Sequence, residues 1–277
     1  MKAKKGTEEV LPEDHPRYLS LKIRHNITKG FEDKVVAKAG LIAHGRGEAF
    51  DYIIGECTNP PAKEAISAAA AALLLAKHPV ISVNGNVAAL LPEDLVKLSK
   101  VAKAPLEVNL FYHSKERVTA IKKYLTQAGA QEILGLKLKE QVSIPELSSM
   151  RRHVDPKGIY SADVVLVPLE DGDRTQALKK LGKKVIAIDL NPLSRTAQWA
   201  DITIVDNVVR CLPLLIQEVE RLRGKDSELK EILKSFSNKK NLGEMIEVMG
   251  NYLCNLAEKG IYIPEAAAIF AEMQEDN

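Results

Sequence analysis

Apolar residues recur along this chain in two rhythms, one helical and one of short continuous runs, and their alternation outlines the fold. At 17–31, Leu19, Ile23, Ile27 and Phe31 follow helical spacing, with Gly30 near the expected end. A short apolar run at 39–43 leads into His44-Gly45-Arg46-Gly47-Glu48, after which Ala49, Ile53 and Ile54 predict a short helix ending near Gly55. The stretch 61–77 carries Ala and Leu nearly all the way round, which marks a helix buried against a sheet or a subunit. Strands and helices then alternate: a strand at 79–83, a helix at 92–102 with Pro92 in its first turn, and a strand at 106–111. Ser114 caps the next helix, whose Val118, Ile121 and Leu125 face inward before Gly129 closes it, and 133–136 reads as a further strand.

Beyond it, 137–160 is the least regular stretch, with Pro145, Pro156 and Gly158, and a loop of that length inside a compact domain is more often functional than idle. The apolar runs at 162–168, 184–188 and 201–205 show no alternation, as expected of parallel strands buried on both faces. Each ends in a polar cluster. Helices are expected at 212–223, 227–236 and 242–258. The pattern predicts an α/β fold: a mostly parallel sheet flanked by helices, with a helical C-terminal part. We read 1–14 as a mobile arm, 15–260 as a single domain that is helical from about 212, and 261–277 as a tail.

Charge and cysteine content narrow the function. The 277 residues carry 39 Lys plus Arg against 37 Asp plus Glu, so nothing points to nucleic acid as a partner. The three cysteines, Cys57, Cys211 and Cys254, are far apart and form no CxxC, which disfavours a disulfide framework or a zinc site. No apolar stretch approaches the roughly 20 residues of a membrane span, and the Lys-rich start lacks the apolar core of a signal peptide. A cytoplasmic protein is expected.

In an open parallel sheet the ligand sits beyond the carboxyl ends of the strands, so the polar clusters there define the candidate site. The glycines of His44-Gly45-Arg46-Gly47-Glu48 suit a turn whose N–H groups approach a phosphate, with the Arg46 guanidinium added; an ordinary tight turn with a solvated arginine is the alternative. Neither a Walker A loop nor GxGxxG is present. Asn84-Gly85-Asn86, at the end of the 79–83 strand, offers two side-chain amides to a substrate, unless it is only a turn; Asn109 and His113 are placed to join it. Asp189-Leu190-Asn191, Arg195, Thr196 and Asp206-Asn207 suit a nucleotide, the carboxylate taking ribose hydroxyls and Arg195 a phosphate. Alternatively, Asp189 and Asn191 cap their own turn and Arg195 pairs with Asp171 or Asp173. Glu170, Asp171 and Asp173 are either a solvated loop or a Mg²⁺ site, and Arg151, Arg152 and His153 either hold a substrate phosphate or are surface charge. Taken alone, Arg24 reads as solvated.

Four longer strings are more specific than any of these. Ala37 to Tyr52 (AKAGLIAHGRGEAFDY), Val83 to Leu90 (VNGNVAAL), Val167 to Arg174 (VPLEDGDR) and Ile188 to Arg195 (IDLNPLSR) resemble the archaeal phosphopantothenate synthetases, also called 4-phosphopantoate–β-alanine ligases. The resemblance covers nearly the whole chain from His15 to about Gly260, and departs from it in the N-terminal arm and in 262–277. It implies a Rossmann-like homodimer that joins 4-phosphopantoate to β-alanine with ATP and Mg²⁺, releasing AMP and pyrophosphate on the way to coenzyme A. By motif, it implies ATP contacts at Arg24, Arg46, Asp189, Leu190, Asn191, Arg195, Thr196, Asn207 and Val208. It also implies an acyl-adenylate intermediate, for which His44 and Glu48 are the candidate bases toward β-alanine and Asn84, Asn86, Arg151 and Arg152 the candidate substrate contacts. Asp171 and Asp173 are the candidate carboxylates for Mg²⁺ on the ATP phosphates. Two rivals use the same sheet edge: a nicotinamide or flavin oxidoreductase, which lacks its glycine fingerprint here, and a non-catalytic adenine-nucleotide sensor.

Overall fold

Pro79–Val83, Val164–Pro168 and Lys184–Ile188 are buried almost end to end and form the centre of a parallel sheet. The computed structural model describes residues 17–137, 140–144 and 150–259. The arm at 1–14, the tail at 261–277 and part of the irregular 137–160 stretch therefore lie outside the described residues.

The chain begins with three helices, α1 (Tyr18–Glu32), α2 (Lys38–Ile53) and α3 (Pro60–Leu75). There follow β1 (Pro79–Val83), α4 (Gly85–Leu90), α5 (Pro92–Ala102), β2 (Leu106–Val108), α6 (Lys115–Gln127) and β3 (Ile133–Leu134). A small antiparallel pair, β4 (Val142–Ser143) and β5 (His153–Val154), precedes β6 (Val164–Pro168), α7 (Gly172–Lys180), β7 (Lys184–Ile188), α8 (Arg195–Trp199) and β8 (Ile202–Ile204). Three helices close the described chain: α9 (Val208–Leu222), α10 (Asp226–Ser235) and α11 (Asn238–Lys259).

The main sheet has the order β3-β2-β1-β6-β7-β8 with every pairing parallel. The order reverses between β1 and β6, and in such sheets a crevice opens at that point beyond the strand ends. Residue alternation sends Ile81, Val83, Leu166, Ile186 and Ile188 to the face covered by α3, α5, α6 and α9. Val80, Val165, Val167, Val185 and Ala187 go to the other face, against Ala177 and Leu178 of α7. The small side chains of Ala65, Ala68, Ala69, Ala70, Ala71 and Ala72 are at most 2% exposed, which lets α3 lie close to both β8 and α9.

The expected strands and helices are present, some with shorter bounds: the strand expected at 106–111 ends at Val108. One expectation is overturned. His44-Gly45-Arg46-Gly47-Glu48 is not a turn but lies inside one continuous helix, α2. Its N–H groups are therefore engaged along the helix and cannot cradle a phosphate. Glycine in a helix interior costs about 0.5–1 kcal/mol, so α2 depends on packing rather than propensity. Gly40 shows how: a Cβ there would overlap Asn86 Oδ1, so its absence lets α2 settle on α4.

Candidate active site

Beyond the carboxyl ends of β1, β6, β7 and β8 lies a cavity of about 530 Å³, roofed by α1 and α2. That size is ordinary for a small-molecule site. It sits where the strand order reverses, as the topology requires.

One wall is built by the turns after β7 and β8. Asp189 accepts the Asn191 N–H at 2.9 Å and the Ser194 O–H at 2.5 Å, and Asn191 Oδ1 accepts the Leu193 N–H at 2.9 Å. These side chains thus brace their own turn, and Asp189, Leu190 and Asn191 all line the cavity. Burial pushes the Asp189 carboxyl up, opposed by Ser194, by Asn191 and by the positive charge of Arg46. Thr196 donates to the Glu170 carbonyl at 2.9 Å, tying α8 to the end of β6. Asn207 caps α9 through Val209 N–H at 3.1 Å and donates through Nδ2 to Asp51 at 2.6 Å; Val208 begins the helix, buried.

The facing wall is α2. Arg46 is exposed at the cavity and makes no hydrogen bond or ion pair among the described residues, although Asp189 lies within reach of its charge. Glu48 accepts from Tyr52 O–H at 2.6 Å and from Arg24 at 2.9 Å. Burial drives Glu48 upward, but those two bonds outweigh it and hold the carboxyl below its ordinary value. His44, one turn back, is lowered chiefly by burial and further by the Arg24 charge, against the pull of Glu48 and Asp51. At neutral pH its imidazole is uncharged and able to accept a proton, whereas Glu48 is already ion-paired.

The third side, toward β1, β2 and β6, is basic. Arg151 is buried in the cavity wall, paired with Glu170 and Asp171, and its guanidinium lies 5.8 Å from the Phe111 ring centroid. The surface-charge alternative for Arg151 is thereby excluded. Asn84 takes the first N–H groups of α4 on its oxygen and donates to the carbonyls of Pro168 and Leu169, so its amide joins β1 to β6. Asn86 donates to the Gly40 carbonyl at 2.9 Å. Both amides line the cavity, with their NH₂ groups engaged in the framework.

The structure therefore gathers at one cavity Arg46, Asp189, Leu190, Asn191, Thr196, Asn207 and Val208, together with His44, Glu48, Asn84, Asn86, Arg151 and Asp171. Arg24 stands beside it, joined through Glu48. Arg195, Asp173 and Arg152 are outside its lining: Arg195 pairs with Asp173 at 2.7 Å on the surface, and Arg152 is exposed against His153. The pairing considered for Arg195 as an alternative is the one observed.

The two carboxylates expected at Mg²⁺ each have protein partners. Asp171 uses one oxygen to cap α7 and the other on Arg151, while Asp173 is turned to solvent and Arg195. Among the described residues no three His, Cys, Asp or Glu side chains are grouped to hold an ion. Nor is a nicotinamide fingerprint hidden at β1: a Cβ at Gly85 would overlap the Val35 carbonyl, so this glycine serves backbone packing.

Four charged residues of the cavity, Asp51, Glu56, Arg117 and Arg210, were not singled out by the sequence. Arg210 bridges Asp51 and Asp206, and Glu56 stands nearby with its carboxyl raised by burial and by Asp51. The signal for Asp51 was its helical spacing from His44 and Glu48, one face of α2 that vanishes once the glycines are taken to break the helix. Arg117, from α6, donates to the Val35 carbonyl at 2.9 Å and lines the basic side.

Chemically, the cavity has cations and braced backbone turns. Among the described residues its lining has no cysteine, and its two serines donate elsewhere than to a histidine, Ser194 to Asp189 and Ser20 to the Arg17 carbonyl. This suits electrostatic stabilisation of a reacting phosphate better than covalent catalysis by the protein.

Comparison with known proteins agrees with this picture. Residues 61–252 match the family model described as phosphopantothenate/pantothenate synthetase. A protein of Thermococcus kodakarensis named 4-phosphopantoate–β-alanine ligase is 51% identical over 254 residues, 91% of this chain and 97% of the relative. Proteins of the same name from Thermococcus onnurineus and Methanosarcina mazei are 50% and 47% identical over 91% of this chain, covering 97% and 99% of their own lengths.

Proposed function

The chain belongs to the phosphopantothenate/pantothenate synthetase family, and we propose that it joins 4-phosphopantoate to β-alanine in the cavity at the strand ends, converting ATP to AMP and pyrophosphate. The ligase activity follows the relatives' name. ATP as co-substrate, the adenylate intermediate and a place in coenzyme A synthesis are our own reading of the site.

In the first step a carboxylate oxygen of phosphopantoate attacks the α-phosphorus; the bond to the bridging oxygen breaks and pyrophosphate leaves with the electron pair. Negative charge gathers on the phosphoryl oxygens, and Arg46, which lines the cavity without a protein partner among the described residues, meets it in this proposal. The Leu190–Asn191 and Asn207–Val208 backbones hold the nucleoside. In the second step the β-alanine amine attacks the acyl carbon, forming the C–N bond as the acyl–oxygen bond breaks and AMP departs. An ammonium of this kind has a pKa near 10, so its proton must be removed. His44 is the acceptor in this proposal, its imidazole pKa lowered by burial, whereas the Glu48 carboxylate is held by Arg24 and Tyr52.

The observation that carries this reading is the position of Arg46 across the cavity from the Asp189–Asn191 turn. A homodimer and a cytoplasmic setting belong to the same proposal. They accord with the exposed Leu19, Phe111 and Tyr112 at the cavity mouth, suited to cover by a second copy, and with three free cysteines. Among the described residues no helix is long and apolar enough to cross a membrane.

Incubation with ATP, 4-phosphopantoate and β-alanine tests the function. AMP and pyrophosphate formation that requires phosphopantoate supports it; ADP formation, or no turnover, refutes it.

A further inference from the structure

The backbone between β3 and β6 has little regular structure of its own: among the described residues, a 3-10 turn at Met150–Arg152 and the two-residue strands β4 and β5. Yet it places the Arg151 guanidinium, 9% exposed, in the cavity wall. What fixes it there is a buried polar rail on β2. Glu107 is fully buried; its Oε1 accepts the Asp155 N–H at 3.0 Å and its Oε2 the Ile159 N–H at 2.6 Å. Two residues on, and so on the same face, Asn109 donates through Nδ2 to the carbonyls of His153 at 2.8 Å and Arg151 at 3.4 Å. Backbone groups at 151, 153, 155 and 159 thus hang on two side chains. Gly158 allows the fit, since a Cβ there would overlap Glu107 Oε2.

The surroundings of Glu107 make this arrangement costly. Burial pushes its carboxyl up to about 7, against the pull of the Ile159 and Asp155 amides and of Arg174. Arg174 from α7, Asp155 on the held segment and Lys183 ahead of β7 are the charged groups that face it. Arg174 is itself fully buried, donating to Glu170 at 2.7 Å and Ser82 at 3.1 Å while its Nε and Nη2 have no partner among the described residues. A buried carboxylate is weak evidence for stability. Its use here is what it holds.

We propose that Glu107 and Asn109 are positioning residues for Arg151: gripping the 151–159 backbone from β2, they set the guanidinium where it meets the anionic end of the acid substrate. The proposal rests on the function given above. Glu170 and Asp171 align the same guanidinium from the β6–α7 side, and Phe111 supports it from beneath. When Glu107 takes up a proton it loses acceptor capacity toward one of its two amides, and Arg151 loses its fixed base.

The test compares Glu107→Gln, Asn109→Ala and Arg151→Ala in purified enzyme. Both rail variants are expected to raise KM for 4-phosphopantoate about tenfold, the scale of one lost charged hydrogen bond, with KM for ATP within about twofold of wild type. Wild-type KM for phosphopantoate should rise as pH falls through about 7, and Glu107→Gln should keep only the substrate's own titration. Unchanged KM in both rail variants, with a raised KM in Arg151→Ala, overturns the positioning role but leaves the function standing. Absence of AMP formation by the wild type would instead overturn the function itself. Should one rail variant fail to fold, the other decides by the same comparison, and a wild-type KM for phosphopantoate in it overturns the proposal.

Discussion

Arg210 holds Asp51 through both carboxylate oxygens, Nη2 to Oδ1 at 2.5 Å and Nη1 to Oδ2 at 3.2 Å, joining the first turn of α9 to the last turn of α2. Asp51 also takes the Asn207 amide at 2.6 Å, so one carboxylate orients both a cation and a candidate nucleotide contact. Asp51→Ala leaves Arg210 with Asp206 alone. Removing one partner of so buried a pair should cost about 3 kcal/mol, read as a lowered Tm, and should raise KM for ATP about tenfold. A variant with wild-type Tm and KM would show that this junction supports neither the fold nor the nucleotide.

Gly45 lies in the interior of α2, and a Cβ at this position meets nothing within 4 Å. Gly45→Ala should therefore stabilise the protein by about 0.5–1 kcal/mol while leaving turnover within about twofold, because the N–H groups here bind helix carbonyls and no phosphate. Lost activity at unchanged stability would restore the anion-binding turn that the glycines suggested.

That contrast marks how far the sequence could be read. The β-branched runs ending at Pro168, Ile188 and Ile204 announced parallel strands, and the polar clusters beyond them marked the cavity, because both features are local in the chain. The helix through Gly40, Gly45 and Gly47 was not legible, since its stability comes from packing against α1 and α4. With it went Asp51 and Arg210, whose pairing spans residues 159 apart. The basic trio at 151–153 looked uniform in sequence, yet Arg151 is buried and Arg152 exposed; Glu107 and Asn109, which help make that difference, sit in what reads as an ordinary strand.

Glu107 gives stability a definite pH dependence. Its carboxyl titrates near 7 in the folded protein against 4.5 ordinarily, so between those values the native state holds a proton that the unfolded chain has released. Stability from this group is therefore fully present below about 4.5, declines as pH rises, and levels off above about 7, a span on the order of 3 kcal/mol. Chemical denaturation across that range should show a shallower decline in Glu107→Gln than in wild type. Equal slopes would mean that Glu107 does not titrate in this window.

His44 is assigned to the second half-reaction alone. His44→Gln should lower amide formation with β-alanine by about a hundredfold, within the usual contribution of a general base, yet still release pyrophosphate in the presence of phosphopantoate and still yield a hydroxamate with hydroxylamine, whose amine is already neutral. In the wild type, burial lowers the imidazole pKa, so the acid limb of the ligation profile should fall below the ordinary 6.5. Equal loss of both half-reactions would assign His44 to binding instead.

The central claim is that the acid's carboxylate strikes the α-phosphorus of ATP in the cavity faced by Arg46. Phosphopantoate carrying heavy oxygen in its carboxylate, followed through one round of ligation, tests it most directly by mass spectrometry of the phosphorus products. One labelled oxygen in AMP is the predicted result; label in inorganic phosphate, or AMP without label, would contradict it.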